Sequence, residues 1–215
     1  MTFNAVYHTL YQTYGRQSWW PAESPFEVMV GAVLTQNTAW SNVEKAIINL
    51  KNAHSLDAQA IVAAGPDQLA DWLKPSGYFN IKARRLRNFC LWYLQRGGME
   101  GLVSLSTQAL RSELLSVNGI GPETADDILL YAFERPVFVI DAYTRRLHSR
   151  LGHIRGDEGY ETLRSLFEST LRGRKKVQLF NEFHALIVRH AKDVCRPRPR
   201  CRECCLAVCC PSTLA

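Results

Sequence analysis

Apolar residues recur at three- and four-residue spacing along most of this chain, which is the periodicity of helices that bury one face. Six segments show the pattern most clearly: 26–34, 43–50, 69–73, 109–117, 124–133 and 179–188. Only the short apolar run at residues 136–140 predicts an extended segment, and it is bounded by a proline and an aspartate. Glycine and proline separate these segments. The pattern predicts an all-α fold with short connections.

The composition is that of an ordinary folded protein, with 215 residues, 47% hydrophobic and 21% charged. No apolar run approaches the ~20 residues that a membrane span requires, and the N-terminus has no signal-peptide pattern. We therefore expect no membrane partner, a cytoplasmic, nucleoid-associated location and a monomer.

The net charge of +6 is compatible with a polyanionic partner, and its distribution is more informative than its total. Basic residues gather in four stretches: 82–87, 145–146, 172–176 and 189–202. Such patches could neutralise the phosphates of DNA. The alternative for each of them is a solvated helix face.

Six of the seven cysteines fall between residues 195 and 210, whereas Cys90 stands apart within a helical pattern and is expected in the core. Without an export signal, this density favours a metal site over disulfides. The best quartet is Cys195, Cys201, Cys204 and Cys210. Four thiolates suit an iron–sulfur cubane, and they also suit tetrahedral zinc. The neighbouring Cys205 and Cys209 leave the register open, and Cys209 could replace Cys210.

A Gly-Ile-Gly turn lies between two helical patterns, and Pro122 begins the second. Exposed amides at a helix N-terminus can bind phosphate, although a GxG between helices is more often a plain turn. The next apolar run ends at Asp141, directly before the basic segment 142–146. The simplest role of this aspartate is that of a helix N-cap.

This order of hairpin, apolar run, aspartate, basic helix and cysteine cluster resembles the endonuclease III superfamily of helix-hairpin-helix DNA glycosylases. The resemblance covers nearly the whole chain. It implies base-excision repair of damaged double-stranded DNA, with Asp141 as the catalytic carboxylate and a 4Fe-4S cluster on the quartet above. The DNA-binding hairpin would comprise Asn118, Gly119, Ile120, Gly121 and Thr124. One departure is the first cysteine gap, which has five residues where the family usually has six.

The same resemblance implies a two-lobed helical fold. One lobe would be a helical barrel domain of residues 21–134, with the hairpin at about 114–130. Residues 1–20 and 135–215 would form the second lobe, whose cluster loop spans 195–210.

Two stretches point to the 3-methyladenine DNA glycosylase branch of the superfamily. Trp19-Trp20-Pro21 and the segment 33–40, which ends in Trp40, resemble the base-binding positions of that branch. By this resemblance Trp19 or Trp20, together with Trp40, stacks on the extruded base, and Pro21 lines the pocket. Gln36 or Asn37 would fill the hole left in the duplex. The alternative for each tryptophan is an ordinary core position.

Bifunctional members of the superfamily keep a lysine where this chain has Glu123. A carboxylate forms no imine, so AP lyase activity is doubtful unless another lysine enters the site. Three functions therefore compete: a monofunctional alkylpurine glycosylase, an endonuclease III-like glycosylase and lyase for oxidised pyrimidines, and a non-catalytic iron–sulfur protein that binds lesions.

Overall fold

The structure is a computed structural model that describes residues 1–213. These residues form twelve α-helices and no β-strand, so the all-α prediction is confirmed. No helix among the described residues is long and apolar enough to cross a membrane. In chain order the helices are α1 (Phe3–Tyr14), α2 (Pro25–Leu34), α3 (Trp40–Asn52), α4 (Ala58–Ala63), α5 (Pro66–Leu73), α6 (Phe79–Gln95), α7 (Gly98–Val103), α8 (Thr107–Ser116), α9 (Pro122–Asp127), α10 (Ala142–Arg150), α11 (Tyr160–Thr170) and α12 (Lys176–Asp193).

Several helices begin at residues that satisfy their first backbone amides. At the starts of α2, α4, α8 and α10, a backbone amide of the first turn donates to a side-chain oxygen of the residue before the helix, which is Ser24, Asp57, Ser106 and Asp141 respectively. Proline occupies the first position of α2, α5 and α9, where its missing N–H costs nothing. The predicted helix at 124–133 has two parts, because α9 continues into a π-helical turn at Ile128–Ala132.

The chain divides into two compact units. One of them is formed by the continuous segment 22–135. Helix α2 lies at its centre, with every residue from Glu27 to Leu34 buried. It packs against α3, α6, α9 and the π-helical turn, which explains why its sequence is apolar on all sides. Helices α4 and α5 pack against α6.

The second unit comprises residues 1–21 and the chain from Pro136 onward. Helix α12 packs against both α1 and α10. Phenylalanine side chains fill the core: the Phe138 ring stacks on Phe167 at 4.7 Å between centroids and meets Phe180 edge-on at 5.4 Å.

The predicted extended run at 136–140 is not helical and is buried from Val137 to Ile140, and it joins no sheet within the described residues. Side chains satisfy its amides instead. Phe138 N–H donates to Glu168 Oε1 at 3.0 Å, and Ile140 N–H donates to the Tyr160 hydroxyl at 3.4 Å. A buried amide needs a partner of some kind, and this segment finds it outside a β-ladder.

Candidate functional site

The hairpin between α8 and α9 has the form expected from its sequence. Gly119 has a φ of 102°, a conformation that side chains rarely adopt, and a Cβ at this position would collide with the Arg85 side chain. Ile120 is buried and anchors the turn, while Asn118 is exposed and its carbonyl accepts a hydrogen bond from Asn88. The turn therefore presents its backbone at the start of α9.

The Gln36 side chain is hydrogen-bonded to this hairpin. Its Nε2 donates to the Gly119 carbonyl at 3.2 Å and to Thr124 Oγ1 at 2.9 Å, and its Oε1 accepts from the Arg85 guanidinium. Asn37 follows with a positive φ of 54° and an exposed side chain. Sequence reasoning identified both residues but missed Arg85, which joins the Gln36 side chain to α6.

A cavity of about 160 Å³ lies beside Gln36, lined also by Asn37, Tyr78, Ile81, Lys82 and Arg85. Lys82 is fully buried, and its ammonium donates to the carbonyls of Leu34 at 2.8 Å and Ser76 at 2.7 Å. Burial lowers the pKa of Lys82 to about 8. The lysine ties the end of α2 to the turn before α6.

Asp141 caps α10, as the simplest interpretation of the sequence predicts, and it is also buried. Its Oδ1 accepts the Thr144 backbone N–H at 2.6 Å, and its Oδ2 lies 3.4 Å from His184 Nε2 on α12. Burial by itself raises the pKa of Asp141, but the contacts with His184 and Thr144 outweigh it and hold the pKa below its usual range. The site thus keeps a buried carboxylate ionised.

Lys192 of α12 extends towards the same neighbourhood. Its ammonium lies 5.8 Å from the ring centroid of Trp19 and 5.8 Å from that of Tyr143. Burial lowers the pKa of Lys192, and the charges of Asp141 and Asp193 offset part of that shift. This lysine was not singled out from the sequence, where it is one of many basic residues.

The aromatic positions predicted for the base pocket divide between the two units. Trp19 and Trp20 are half-buried, with ring centroids 6.0 Å apart and planes at 64°, and Pro21 follows them exposed. Trp40 is half-buried at the first position of α3. Glu123 is exposed in the first turn of α9, next to the hairpin glycines.

The four predicted cysteine ligands face one cavity of about 240 Å³ at the end of the chain. Cys195, Cys201, Cys204 and Cys210 all line it, together with apolar residues of α10 and the tail. Neither Cys205 nor Cys209, both within the described chain, is part of that lining. Among the open registers, this arrangement favours the quartet that ends at Cys210.

The spacing of these thiols bears on the kind of metal they fit. Within residues 1–213, no group of three or more His, Cys, Asp or Glu side chains converges closely enough to hold a single metal ion. Tetrahedral zinc would draw four sulfur atoms to about 2.3 Å from one point. Four thiols that line one cavity supply the donor set of an iron–sulfur cluster as well as that of zinc.

Two arginines of α10 hold the start of the cysteine tail. Arg146 donates to the carbonyls of Cys195 and Ala191, and Arg150 donates to the carbonyls of Arg196 and Pro197. Arg150 Nη1 also lies 3.3 Å from Cys195 Sγ. Burial, together with the neighbouring thiols, raises the pKa of Cys204 to about 11. Metal coordination reverses such a shift, because a coordinated thiol is deprotonated.

Comparison with known proteins places this arrangement in a family. Residues 30–172 match the family model described as HhH-GPD superfamily base excision DNA repair protein. The chain belongs to this superfamily. A Methanocaldococcus jannaschii protein named as a DNA repair glycosylase is 46% identical over 202 residues, 93% of this chain and 91% of that protein. Endonuclease III of Thermotoga maritima is 30% identical over 181 residues, 84% of this chain and 79% of the enzyme.

Solved structures of other HhH-GPD glycosylases share the fold. Helicobacter pylori 3-methyladenine DNA glycosylase, bound to 1,N6-ethenoadenine, superposes with a TM-score of 0.77 at 30% identity, covering 89% of this chain and 98% of that one. An endonuclease III–DNA complex gives a TM-score of 0.83 at 19% identity, covering 97% and 94%. The family assignment and the fold expected from the sequence are therefore confirmed, and the chain is a DNA repair glycosylase.

Proposed function

We propose that this glycosylase hydrolyses the N-glycosidic bond of alkylated purines in double-stranded DNA and leaves the resulting abasic site intact. The observation that carries the proposal is the buried, ionised carboxylate of Asp141, held between the Thr144 amide and His184 at the start of α10. A base can be reached only after its nucleotide leaves the duplex stack.

Asp141 would act on the sugar. As the bond between C1′ and the base nitrogen breaks, the electron pair leaves with the base and positive charge develops on the sugar ring. A carboxylate nearby stabilises that charge and orients water, whose oxygen then bonds to C1′ while its proton passes to the carboxylate. His184 does not touch the reacting atoms in this scheme. It is a positioning residue that keeps Asp141 oriented and ionised.

The tryptophans would replace the stacking that the extruded base loses. By resemblance, Trp19 or Trp20, together with Trp40, would be the stacking residues of the 3-methyladenine branch, and base–aromatic stacking is worth about 1–3 kcal/mol per base. Electron-rich indole faces attract cations, which favours a positively charged base. An N-alkylated purine such as 3-methyladenine is cationic and leaves as a neutral base, so no strong acid is required for its release. In the duplex, Gln36 or Asn37 would fill the vacated space.

Glu123 supports hydrolysis without strand cleavage, because it stands where bifunctional relatives keep their imine-forming lysine. One observation favours the second candidate, a glycosylase with lyase activity. The pKa of Lys192 is lowered by burial, and its amine lies near the charge of Asp141. If this protein forms an imine, Lys192 is the lysine that the geometry points to.

The cysteine tail would hold a 4Fe-4S cluster. The four thiols and the cavity that they line fit such a group. The cluster would supply no step of base release. Its coordination would organise the Arg-rich tail, whose exposed Arg196, Arg198 and Arg200 could bind phosphates.

The proposed reaction is tested with duplexes that each carry one lesion: 3-methyladenine, 1,N6-ethenoadenine or thymine glycol. Base release is measured by chromatography, and strand nicking is measured with and without alkali. We expect release of the alkylated purines, with nicking only after alkali. Spontaneous nicking of the thymine glycol duplex would favour the second candidate, and binding without base release would favour the lesion-binding protein.

The cluster is tested separately on protein purified from cells. We expect a yellow-brown protein that contains iron and acid-labile sulfide in equal amounts. A colourless protein with one tightly bound zinc per chain would contradict the cluster assignment while leaving the proposed reaction untouched.

A further inference from the structure

A buried histidine connects the cysteine tail to the first helix of the same unit. His190 of α12 is completely buried. Its Nε2 lies 3.5 Å from Cys204 Sγ, and its Nδ1 lies 2.7 Å from the hydroxyl of Tyr14, the last residue of α1. His190 thus contacts Cys204 through one ring nitrogen and Tyr14 through the other.

The surroundings of Tyr14 hold its ring in place. The Arg189 guanidinium lies 4.9 Å from the ring centroid and donates to the Tyr14 carbonyl at 3.3 Å. Gln17 Nε2 donates to the same carbonyl at 3.1 Å. A tyrosine hydroxyl carries a proton at neutral pH, so this one is available as a donor to His190 at 2.7 Å.

The chemistry of the three groups fixes the direction of their hydrogen bonds. A metal-bound thiolate only accepts, so the imidazole nitrogen beside Cys204 must carry the proton. The other nitrogen of a neutral imidazole then accepts, and the Tyr14 hydroxyl donates to it. A histidine whose second nitrogen is fixed in this way presents one tautomer and one ring orientation to the metal site.

We propose that Tyr14 and His190 form a hydrogen-bond relay that donates to the thiolate of Cys204 and raises the reduction potential of the cluster. This inference rests on the cluster assignment made above. The physical reason is that reduction adds negative charge to the cluster, and an N–H donor at a ligand sulfur stabilises that added charge. The Tyr14 hydroxyl strengthens the effect because it fixes the donating tautomer and polarises the ring.

The relay is tested by protein-film voltammetry of the purified, iron-loaded protein. We expect Tyr14→Phe to shift the cluster potential to a more negative value, since the ring loses its fixed tautomer. His190→Phe keeps the ring volume, removes the donor and should give a larger shift in the same direction. Resonance Raman spectra should show a matching change in the iron–thiolate stretching bands. Tyr11→Phe removes a hydroxyl one turn earlier on α1, outside the relay, and should leave potential and spectrum unchanged.

Iron and sulfide content separates the possible failures. Wild-type protein without iron would refute the cluster assignment. A full cluster in the Tyr14→Phe variant, with the wild-type potential and Raman bands, would overturn the relay itself. If His190→Phe does not retain iron, the Tyr14→Phe variant decides alone, because it leaves His190 and all four thiols in place.

Discussion

At the scale of single residues, Asp141 has two roles that the sequence could not separate. It caps α10 through its Oδ1 and contacts His184 through its Oδ2. A cap alone would be served by an exposed aspartate, whereas this side chain is buried and its pKa is held below the usual range. Keeping a buried carboxylate ionised requires dedicated partners, and here these are supplied by two helices.

Asp141→Asn should therefore abolish base release while preserving DNA affinity. Asparagine can still cap the helix, but it cannot oppose the positive charge that develops on the sugar, so we expect a loss of about 100-fold or more in single-turnover rate. Asp157→Asn, which alters an exposed carboxylate in the same unit, is the matched control. Near wild-type turnover in Asp141→Asn would remove this residue from the mechanism.

The pH dependence of the reaction should reveal the role of His184. Since the folded-state pKa of Asp141 is lowered, its charge is present above that value and is lost only as the pH falls through it. The wild-type rate should therefore show no acid limb from Asp141 above its ordinary pKa of about 3.9. His184→Gln removes the contact that lowers the pKa, so an acid limb should move up into the measured range. Single-turnover rates between about pH 4 and 8 test this.

Lys192 should influence which bases are preferred. Its ammonium occupies the indole face of Trp19 and would repel a second cation placed there. We expect Lys192→Met to raise release of cationic 3-methyladenine relative to neutral 1,N6-ethenoadenine several-fold. Lys175→Met removes an exposed charge from the same unit and should leave this ratio unchanged. An unaltered ratio in Lys192→Met would mean that Trp19 does not meet the base.

At the scale of elements, the hairpin depends on backbone conformations that the Gly-Ile-Gly sequence suggested. Only one of the two glycines is conformationally required: Gly119 has a positive φ and no room for a Cβ, whereas Gly121 has an ordinary φ of −95° and open space around it. The sequence marks both glycines equally, because neither the φ angle nor the position of Arg85 can be read from it.

Gly119→Ala should destabilise the protein by roughly 1–3 kcal/mol, the usual cost of a strained backbone, and should disturb Arg85 and with it Gln36. Denaturant unfolding measures the first effect, and the affinity for duplex DNA measures the second. Gly121→Ala offers a control in the same turn, expected to be tolerated in the unfolding measurement. Equal behaviour of the two variants would contradict this description of the hairpin.

At the scale of the whole molecule, the sequence predicted the helical class, the six most periodic helices and the family. It did not predict α1, α4, α7 or α11. Helices α4 and α7 have six residues each, too few for a periodic signal, and aromatic residues on both faces of α1 blur its pattern. The sequence also did not predict the contacts of Arg85 with Gln36, of His184 with Asp141 and of Lys192 with Trp19. Each of these contacts joins segments that are distant in sequence.

We propose that the whole enzyme removes the base by hydrolysis and forms no imine. The most direct measurement is borohydride trapping during turnover on a duplex that contains 3-methyladenine, with base release followed in the same samples. We predict that released base accumulates together with an equal amount of intact abasic strand, and that no covalent protein–DNA adduct forms, because Glu123 offers no amine. An adduct that forms in step with base release, and that disappears in Lys192→Met, would contradict the claim.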